Sequence, residues 1–208
     1  MSNSKSWRPE WDDIFSSREW GKYPSEDVVR FVARNFYQSD SREAVRFLEV
    51  GSGTGANLWF LAKEGFNVTG IDGSEVGITQ TKERFSAERL TGSFHVGDIL
   101  FLPFDDASFD CVIDCACIMC NPYDESKKII QDIHRVLKSN GRFFSKTMMT
   151  GTDSKSDGME LPGVRFTSEE DISDLYDLFD IDSVDKLMRT DKNQTISIPE
   201  WLISCTKK

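Results

Sequence analysis

Basic residues are scarce beside acids: 25 Lys and Arg stand against 35 Asp and Glu in 208 residues, a formal net charge of -10. Nucleic-acid binding at physiological salt rests on Lys and Arg neutralising phosphates, so this balance argues against a phosphate backbone as partner. Long apolar runs are missing too. No segment reaches the ~20 apolar residues a membrane span needs, and the stretch from Met1 to Arg8 has no apolar centre of the kind a signal peptide carries. The expectation is a cytoplasmic protein with no membrane partner. Five cysteines, an odd number, then read as reduced thiols rather than a disulfide framework. Only two histidines occur. His95 falls in a strand-like run and His134 in a helical one beside Arg135, and neither is read as a catalytic base.

What is present suits one sizeable core, with 38% hydrophobic residues and no internal repeat. Runs rich in Val, Ile, Phe or Leu at 45–50, 67–72, 93–96, 111–114 and 142–148 read as buried strands. Helical spacing falls between them, at 57–63, at 75–90, and in a stretch that sets Ile129, Ile130, Ile133, Val136 and Leu137 on one face before Asn140-Gly141 is expected to end it. Strand and helix in alternation imply an α/β fold with a doubly wound, mostly parallel sheet. Beyond Met148 come a polar loop over 150–158, a helix with Thr167 as cap and Glu170 at capping-box spacing, and strand candidates at 181–187 and 195–206. With no helix between them, these two predict an antiparallel pair at one sheet edge, and Pro199 predicts an irregularity in the second. At the other end Trp7, Trp11, Phe15, Trp20 and Tyr23 precede a helix over 25–36, and this segment is expected to cover the sheet's carboxyl edge. The division is one domain over 1–208: a helical cap at 1–40, a cofactor-binding core at 45–148, and a helix with edge strands at 149–208.

Gly51, Gly53 and Gly55 follow an apolar strand and precede a helix, the setting in which a glycine loop brings backbone amides close to a ligand. With Ala56 they also satisfy the Gly-x-Gly-x-x-Ala form of a dinucleotide fingerprint, and Asp72 lies where a ribose-binding acid would. Both cofactor classes are open at this point. Two features separate them: Glu49 precedes the first glycine by two residues, and Gly97-Asp98-Ile99 follows the third strand, where a carboxylate could receive an adenine amino group.

Together with Asp72-Gly73-Ser74, these segments resemble the class I S-adenosylmethionine-dependent methyltransferases. The likeness extends through Phe109-Asp110-Cys111-Val112-Ile113-Asp114 and Arg135-Val136-Leu137-Lys138-Ser139-Asn140-Gly141, and covers residues 45–148. It implies a seven-stranded Rossmann-like sheet with an antiparallel C-terminal hairpin, and S-adenosyl-L-methionine as cofactor. It implies a glycine loop that holds the cofactor through Gly55, with Gly51, Ser52 and Gly53 on the methionine side. Asp72 would hold both ribose hydroxyls, Gly73 would lie beside the adenine, and Asp98 with Ile99 would fix its edge. Glu49 would order the loop and approach the cofactor's amino group. Acids suit such a cofactor, because its sulfonium is a positive centre where a dinucleotide has a pyrophosphate.

The acceptor side is read more thinly. Asp114 ends the fourth strand, and ligands in open α/β sheets bind outside the carboxyl ends of strands, so it is the candidate catalytic residue; the alternative is that it caps the following segment. Trp20 and Tyr23 fall in a stretch, Trp20-Gly21-Lys22-Tyr23-Pro24-Ser25, that resembles the cofactor-covering segment of small-molecule methyltransferases, and Tyr123 borders the same region. Cys111, Cys115, Cys117 and Cys120 lack the second paired cluster that a structural zinc site needs, so no metal is expected. Short inserts favour a small-molecule acceptor, a hydroxyl- or carboxyl-bearing metabolite. The competing functions are a non-catalytic cofactor-binding scaffold and a dinucleotide-dependent oxidoreductase, the latter weakened by the lack of a suitably placed Tyr-x-x-x-Lys. No feature of the sequence specifies an oligomeric state.

Overall fold

The computed structural model describes residues 7–151, 162–191 and 196–208. Seven strands form one sheet in the order β3-β2-β1-β4-β5-β7-β6. The first five are β1 (Arg46–Val50), β2 (Asn67–Asp72), β3 (Ser93–Val96), β4 (Phe109–Cys115) and β5 (Leu137–Met148), all parallel where they pair. β6 (Phe179–Asp191) and β7 (Ile196–Lys207) are antiparallel to each other, and β7 is antiparallel to β5. The chain steps outward from β1 through β2 to β3, then returns to start β4 on the other side of β1. That reversal opens a crevice between the carboxyl ends of β1 and β4, where Val50 pairs with Asp114.

Among the described residues six α-helices complete the fold: α1 (Glu10–Ser17), α2 (Glu26–Phe36), α3 (Ala56–Lys63), α4 (Glu75–Ala87), α5 (Tyr123–Val136) and α6 (Glu169–Leu175). The two sheet faces bury separate apolar clusters. On one, Phe31 and Phe36 of α2 pack with Phe144 and Phe47, each pair of ring centroids 4.9 Å apart, beside Leu58 and Leu61 of α3. On the other, Ile129, Ile130, Ile133 and Val136 of α5 meet Val112, Phe143 and Ile203. Of the two N-terminal helices only α1 lies at the carboxyl edge, where Phe15 is against Gly53, whereas α2 packs on a sheet face and is not part of the expected edge cover. No helix among the described residues is long and apolar enough to cross a membrane.

Local boundaries differ from the sequence pattern for identifiable reasons. α5 ends at Val136, not at Asn140-Gly141, and Leu137 already pairs with Phe109. Asn140 (φ 61°) and Gly141 instead form an irregularity inside β5, after which Arg142 pairs with Cys111. α4 stops at Ala87 rather than reaching Leu90. There Arg89 takes the left-handed conformation (φ 55°), with Leu90 N–H donating to the Phe85 carbonyl, a Schellman closure made without the glycine that would have announced it.

Ser168, not Thr167, caps α6: its hydroxyl accepts from Asp171 N–H, and the Asp171 carboxylate accepts from Ser168 N–H. Thr167 is buried one residue earlier and bonds to Thr147 across the sheet end. Pro199 breaks nothing. Its carbonyl accepts from Met149 N–H, so its missing donor faces the same way, past the last β5–β7 pair at Met148 and Glu200. The irregularity of the hairpin lies between Ile181 and Ser183 of β6. Of the loop expected at 150–158, residues 152–158 lie outside the described residues, as does Thr195.

Candidate functional site

The loop from β1 to α3 is bent by three left-handed glycines, Gly51 (φ 64°), Gly53 (φ 50°) and Gly55 (φ 75°). The first is the most constrained: a Cβ on Gly51 would lie 2.0 Å from Cys117 Sγ and 2.3 Å from Cys117 Cβ. The loop is tied to β2 as well. Gly51 and Ser52 N–H both donate to the Ile71 carbonyl, and Gly53 N–H donates to Asp72 Oδ2 at 2.7 Å. The other Asp72 oxygen accepts from Ser74 N–H at 2.8 Å. One carboxylate thus fixes the glycine loop and the start of α4 together. Burial raises the Asp72 pKa against the lowering effect of those amides.

Glu49, on β1, is 2% exposed. Its Oε1 accepts from Asn57 Nδ2 at 2.7 Å, while Oε2 is buried with no hydrogen-bond partner among the described residues, as is Ser52 Oγ. Burial pushes the Glu49 carboxyl up to about 8; Asn57 opposes the rise, and Asp72 and Asp114 add to it. At neutral pH this side chain is mostly protonated until a cation approaches.

These groups border a cavity of about 340 Å³ at the β1/β4 crevice. Asp72, Gly73 and Ile99 close one end, and Cys115, Cys117, Cys120 and Asn121 form the opposite wall. Trp7, Trp11, Phe15, Trp20 and Tyr23 cover it. The cover is anchored by Asp12 of α1, whose carboxylate accepts from the Ser74 hydroxyl and from Val76 N–H, and by Gln80, which donates to the Phe15 carbonyl. Trp11, Phe15 and Trp20 pack as a triangle with centroids 5.5–6.0 Å apart. Burial, the largest influence on each thiol, raises Cys115 to about 11 and Cys120 to about 12, so the wall presents neutral SH groups. Among the described residues no three His, Cys, Asp or Glu side chains are grouped to hold a metal ion.

Of the residues singled out in the sequence, Glu49, Gly51, Ser52, Gly53, Asp72, Gly73, Ile99, Trp20 and Tyr23 line this cavity. Gly55, Asp98, Tyr123 and Asp114 do not. Gly55 is the residue before α3, and Asp98 turns an oxygen to Leu100 N–H. The Tyr123 hydroxyl donates to Asp174 on α6, away from the crevice. Asp114 is wholly buried: Oδ1 accepts from Cys117 and Ile118 N–H, and Oδ2 from the Ser145 hydroxyl. It caps the turn that carries the cysteine wall, which replaces the expectation that it faces a reacting centre. Sequence reasoning missed Asn57, Ser25, Arg8 and Asn121 on the cavity lining. For Asn57 the only available signal is a lone polar residue in the apolar helix Asn57-Leu58-Trp59-Phe60-Leu61.

The Asp114 arrangement yields a first prediction. Asp114→Ala leaves two amides and a hydroxyl without their acceptor, which is expected to cost about 2–4 kcal/mol in urea unfolding. Asp114→Asn, which keeps one acceptor oxygen, is expected to lose less. A stable Asp114→Asn protein with normal cofactor binding but no turnover would instead return this residue to the reaction centre.

Comparison with known proteins follows the same outline. A family model described as a methyltransferase domain matches residues 47–141. A putative methyltransferase from Geobacillus sp. (strain WCH70) is 30% identical over 152 residues, covering 70% of this chain and 58% of the relative. The chain spans only 46%, 38% and 35% of the length of other curated relatives it matches. Among solved structures, TehB from Haemophilus influenzae aligns with a TM-score of 0.72 at 20% identity, over 95% of this chain and 67% of that one. Burkholderia thailandensis 1,6-didemethyltoxoflavin-N1-methyltransferase, solved with bound 1,6-didemethyltoxoflavin and S-adenosylhomocysteine, aligns with a TM-score of 0.69 at 16% identity, over 88% of this chain and 77% of that one. At these identities the structural likeness is one of fold.

Proposed function

We infer that this chain is a class I S-adenosylmethionine-dependent methyltransferase, in keeping with the matching family model and the Geobacillus relative, and we propose that it methylates a small molecule, a hydroxyl- or carboxyl-bearing metabolite. The observation that carries this reading is the pair of buried acids on the cavity, Glu49 with an unpartnered Oε2 and Asp72 beside the glycine loop. Buried carboxyl groups favour a cationic ligand and oppose a pyrophosphate.

The residues suit S-adenosylmethionine. Glu49 Oε2 and Ser52 Oγ offer buried polar partners to an amino-acid moiety, Asp72 retains lone pairs for a ribose diol, and Ile99, with Gly73 under the Trp7 side chain, gives the apolar surroundings a purine needs. When bound, this cofactor supplies an electrophilic methyl group on a sulfonium. The chain's own part is then positioning and water exclusion, because in-line displacement with a neutral leaving group does not demand a strong base. Trp7, Trp11 and Phe15 cover the crevice, and Trp20 and Tyr23 are assigned to the acceptor side. Residues 45–148 act as the cofactor-binding core, the described segment before α2 as the cap, and β6 and β7 complete the sheet.

The test is incubation with methyl-labelled cofactor and fractionated cell extract. The expected result is S-adenosylhomocysteine together with a labelled small product. Cofactor binding without turnover in any fraction would favour a non-catalytic scaffold over this reading.

A further inference from the structure

β6 is the last strand of the sheet, and among the described residues no strand lies along its outer side. A long open edge is a row of unpaired backbone groups that invites another strand. This one also carries an apolar stripe: Ile181, Val184 and Met188 are 41%, 39% and 60% exposed. All three lie on one face, because they pair with Cys205, Ile203 and Pro199, alternate residues of β7. The irregularity between Ile181 and Ser183 is what keeps Ile181 in phase with the other two. Lys186 completes the stripe, its Nζ 4.6 Å from the Trp201 ring centroid, so that its stem runs along the same face.

The charges on the edge say what fits it. Two copies related by a two-fold axis normal to the sheet keep like faces together, so residues opposite each other must be both odd-numbered or both even-numbered. Over the regular stretch 183–190, an axis at Asp185, Lys186 or Arg189 would set a charge against its own copy. An axis at Leu187 sets Asp185 twice opposite Arg189, whose guanidinium is already held by Glu200 of its own chain and would be shared between the two acids, with Leu187 against Leu187 and Met188 beside the Lys186 stem. Opposite charges directly across an antiparallel pair are stabilising, and like charges destabilising. We propose that β6 pairs antiparallel with β6 of a second copy about a two-fold axis at Leu187, joining two seven-stranded sheets into one.

The interface is independent of the cofactor crevice, which lies at β1 and β4 on the far side of β5 and β7. Sedimentation equilibrium of the full chain is expected to show a mass that rises with concentration toward twice 23.7 kDa, more weakly at high salt. Asp185→Arg, which sets Arg against Arg, is expected to be monomeric with an unchanged thermal midpoint. Leu187→Cys is expected to be crosslinked by a short bis-maleimide above the background of the parent chain, and Ser183→Cys is not. A single-chain mass at every concentration, an Asp185→Arg protein that associates like the parent, or crosslinking at 183 equal to that at 187 would each overturn the proposal.

Discussion

Gly51→Ala is expected to weaken cofactor binding by at least about 100-fold, roughly 2.7 kcal/mol, without unfolding the sheet. Two penalties coincide at this position. A left-handed φ of 64° is expensive for any residue with a Cβ, on the order of 1–2 kcal/mol. The added Cβ would also stand 2.0 Å from Cys117 Sγ and 2.3 Å from Cys117 Cβ. Rotating the thiol clears the first contact only. Either the glycine loop or the cysteine wall must therefore shift, and both border the cavity.

Two controls separate these causes. Gly65 also has a positive φ, 87°, but open space where its Cβ would go, so Gly65→Ala is expected to cost a little stability and no binding. Adding Cys117→Gly to Gly51→Ala removes the collision but not the backbone strain, and is expected to recover part of the affinity. Calorimetric titration with S-adenosylhomocysteine reads all three. A Gly51→Ala protein that binds like the parent would mean that the loop and the wall do not hold the ligand between them.

The second large effect concerns the proton on Glu49. Folding raises its pKa from an ordinary 4.5 to about 8, chiefly by burial. Below about 4.5 the group is protonated in both folded and unfolded chains, and its contribution to stability is complete. Between about 4.5 and 8 the folded chain holds a proton that the unfolded chain releases, so stability falls as pH rises and levels off above 8. The slope approaches about 1.4 kcal/mol per pH unit in the middle of that window. Asp114, raised to about 6, acts in the same direction over a lower range, and Asp72, also raised by burial, adds to it in the same direction.

Glu49→Gln removes the Glu49 contribution and preserves an acceptor for Asn57. Its stability in urea relative to the parent is therefore expected to climb by several kcal/mol between pH 5 and pH 8.5. Binding is expected to move the other way. A cationic amino group beside Oε2 ionises Glu49, so the parent releases a proton on binding and binds more tightly as pH rises from 6 to 8, whereas Glu49→Gln binds weakly with little pH dependence. Parallel pH profiles for the two proteins would contradict the placement of this carboxyl.

How far the sequence alone reached depended on how local each signal was. The five parallel strands and the glycine loop rest on apolar runs and spacing, and they emerged within two residues of their observed bounds except at the start of β5, which begins at Leu137 and not at Arg142. Boundaries set by unusual backbone did not. Arg89 closes α4 in a conformation usually left to glycine, and the Asn140-Gly141 pair, which reads as a helix stop, bends a strand instead. Asp114 shows the limit for side chains: its place in the chain was right, but a strand-end acid can turn outward to a ligand or back beneath the next turn. That choice is made by Cys117, Ile118 and Ser145, the last from a different strand. Asn57 was invisible for the same reason, since its partnership with Glu49 exists only once α3 lies over β1.

The central claim is that the glycine loop, Glu49 and Asp72 together form a site for a sulfonium cofactor and not for a dinucleotide, although Gly51, Gly53, Gly55 and Ala56 alone fit both. Side-by-side calorimetric titration of the chain with S-adenosylmethionine and with NAD tests it most directly. Saturable binding of S-adenosylmethionine with no measurable NAD binding is the predicted result; NAD binding without S-adenosylmethionine binding would contradict it.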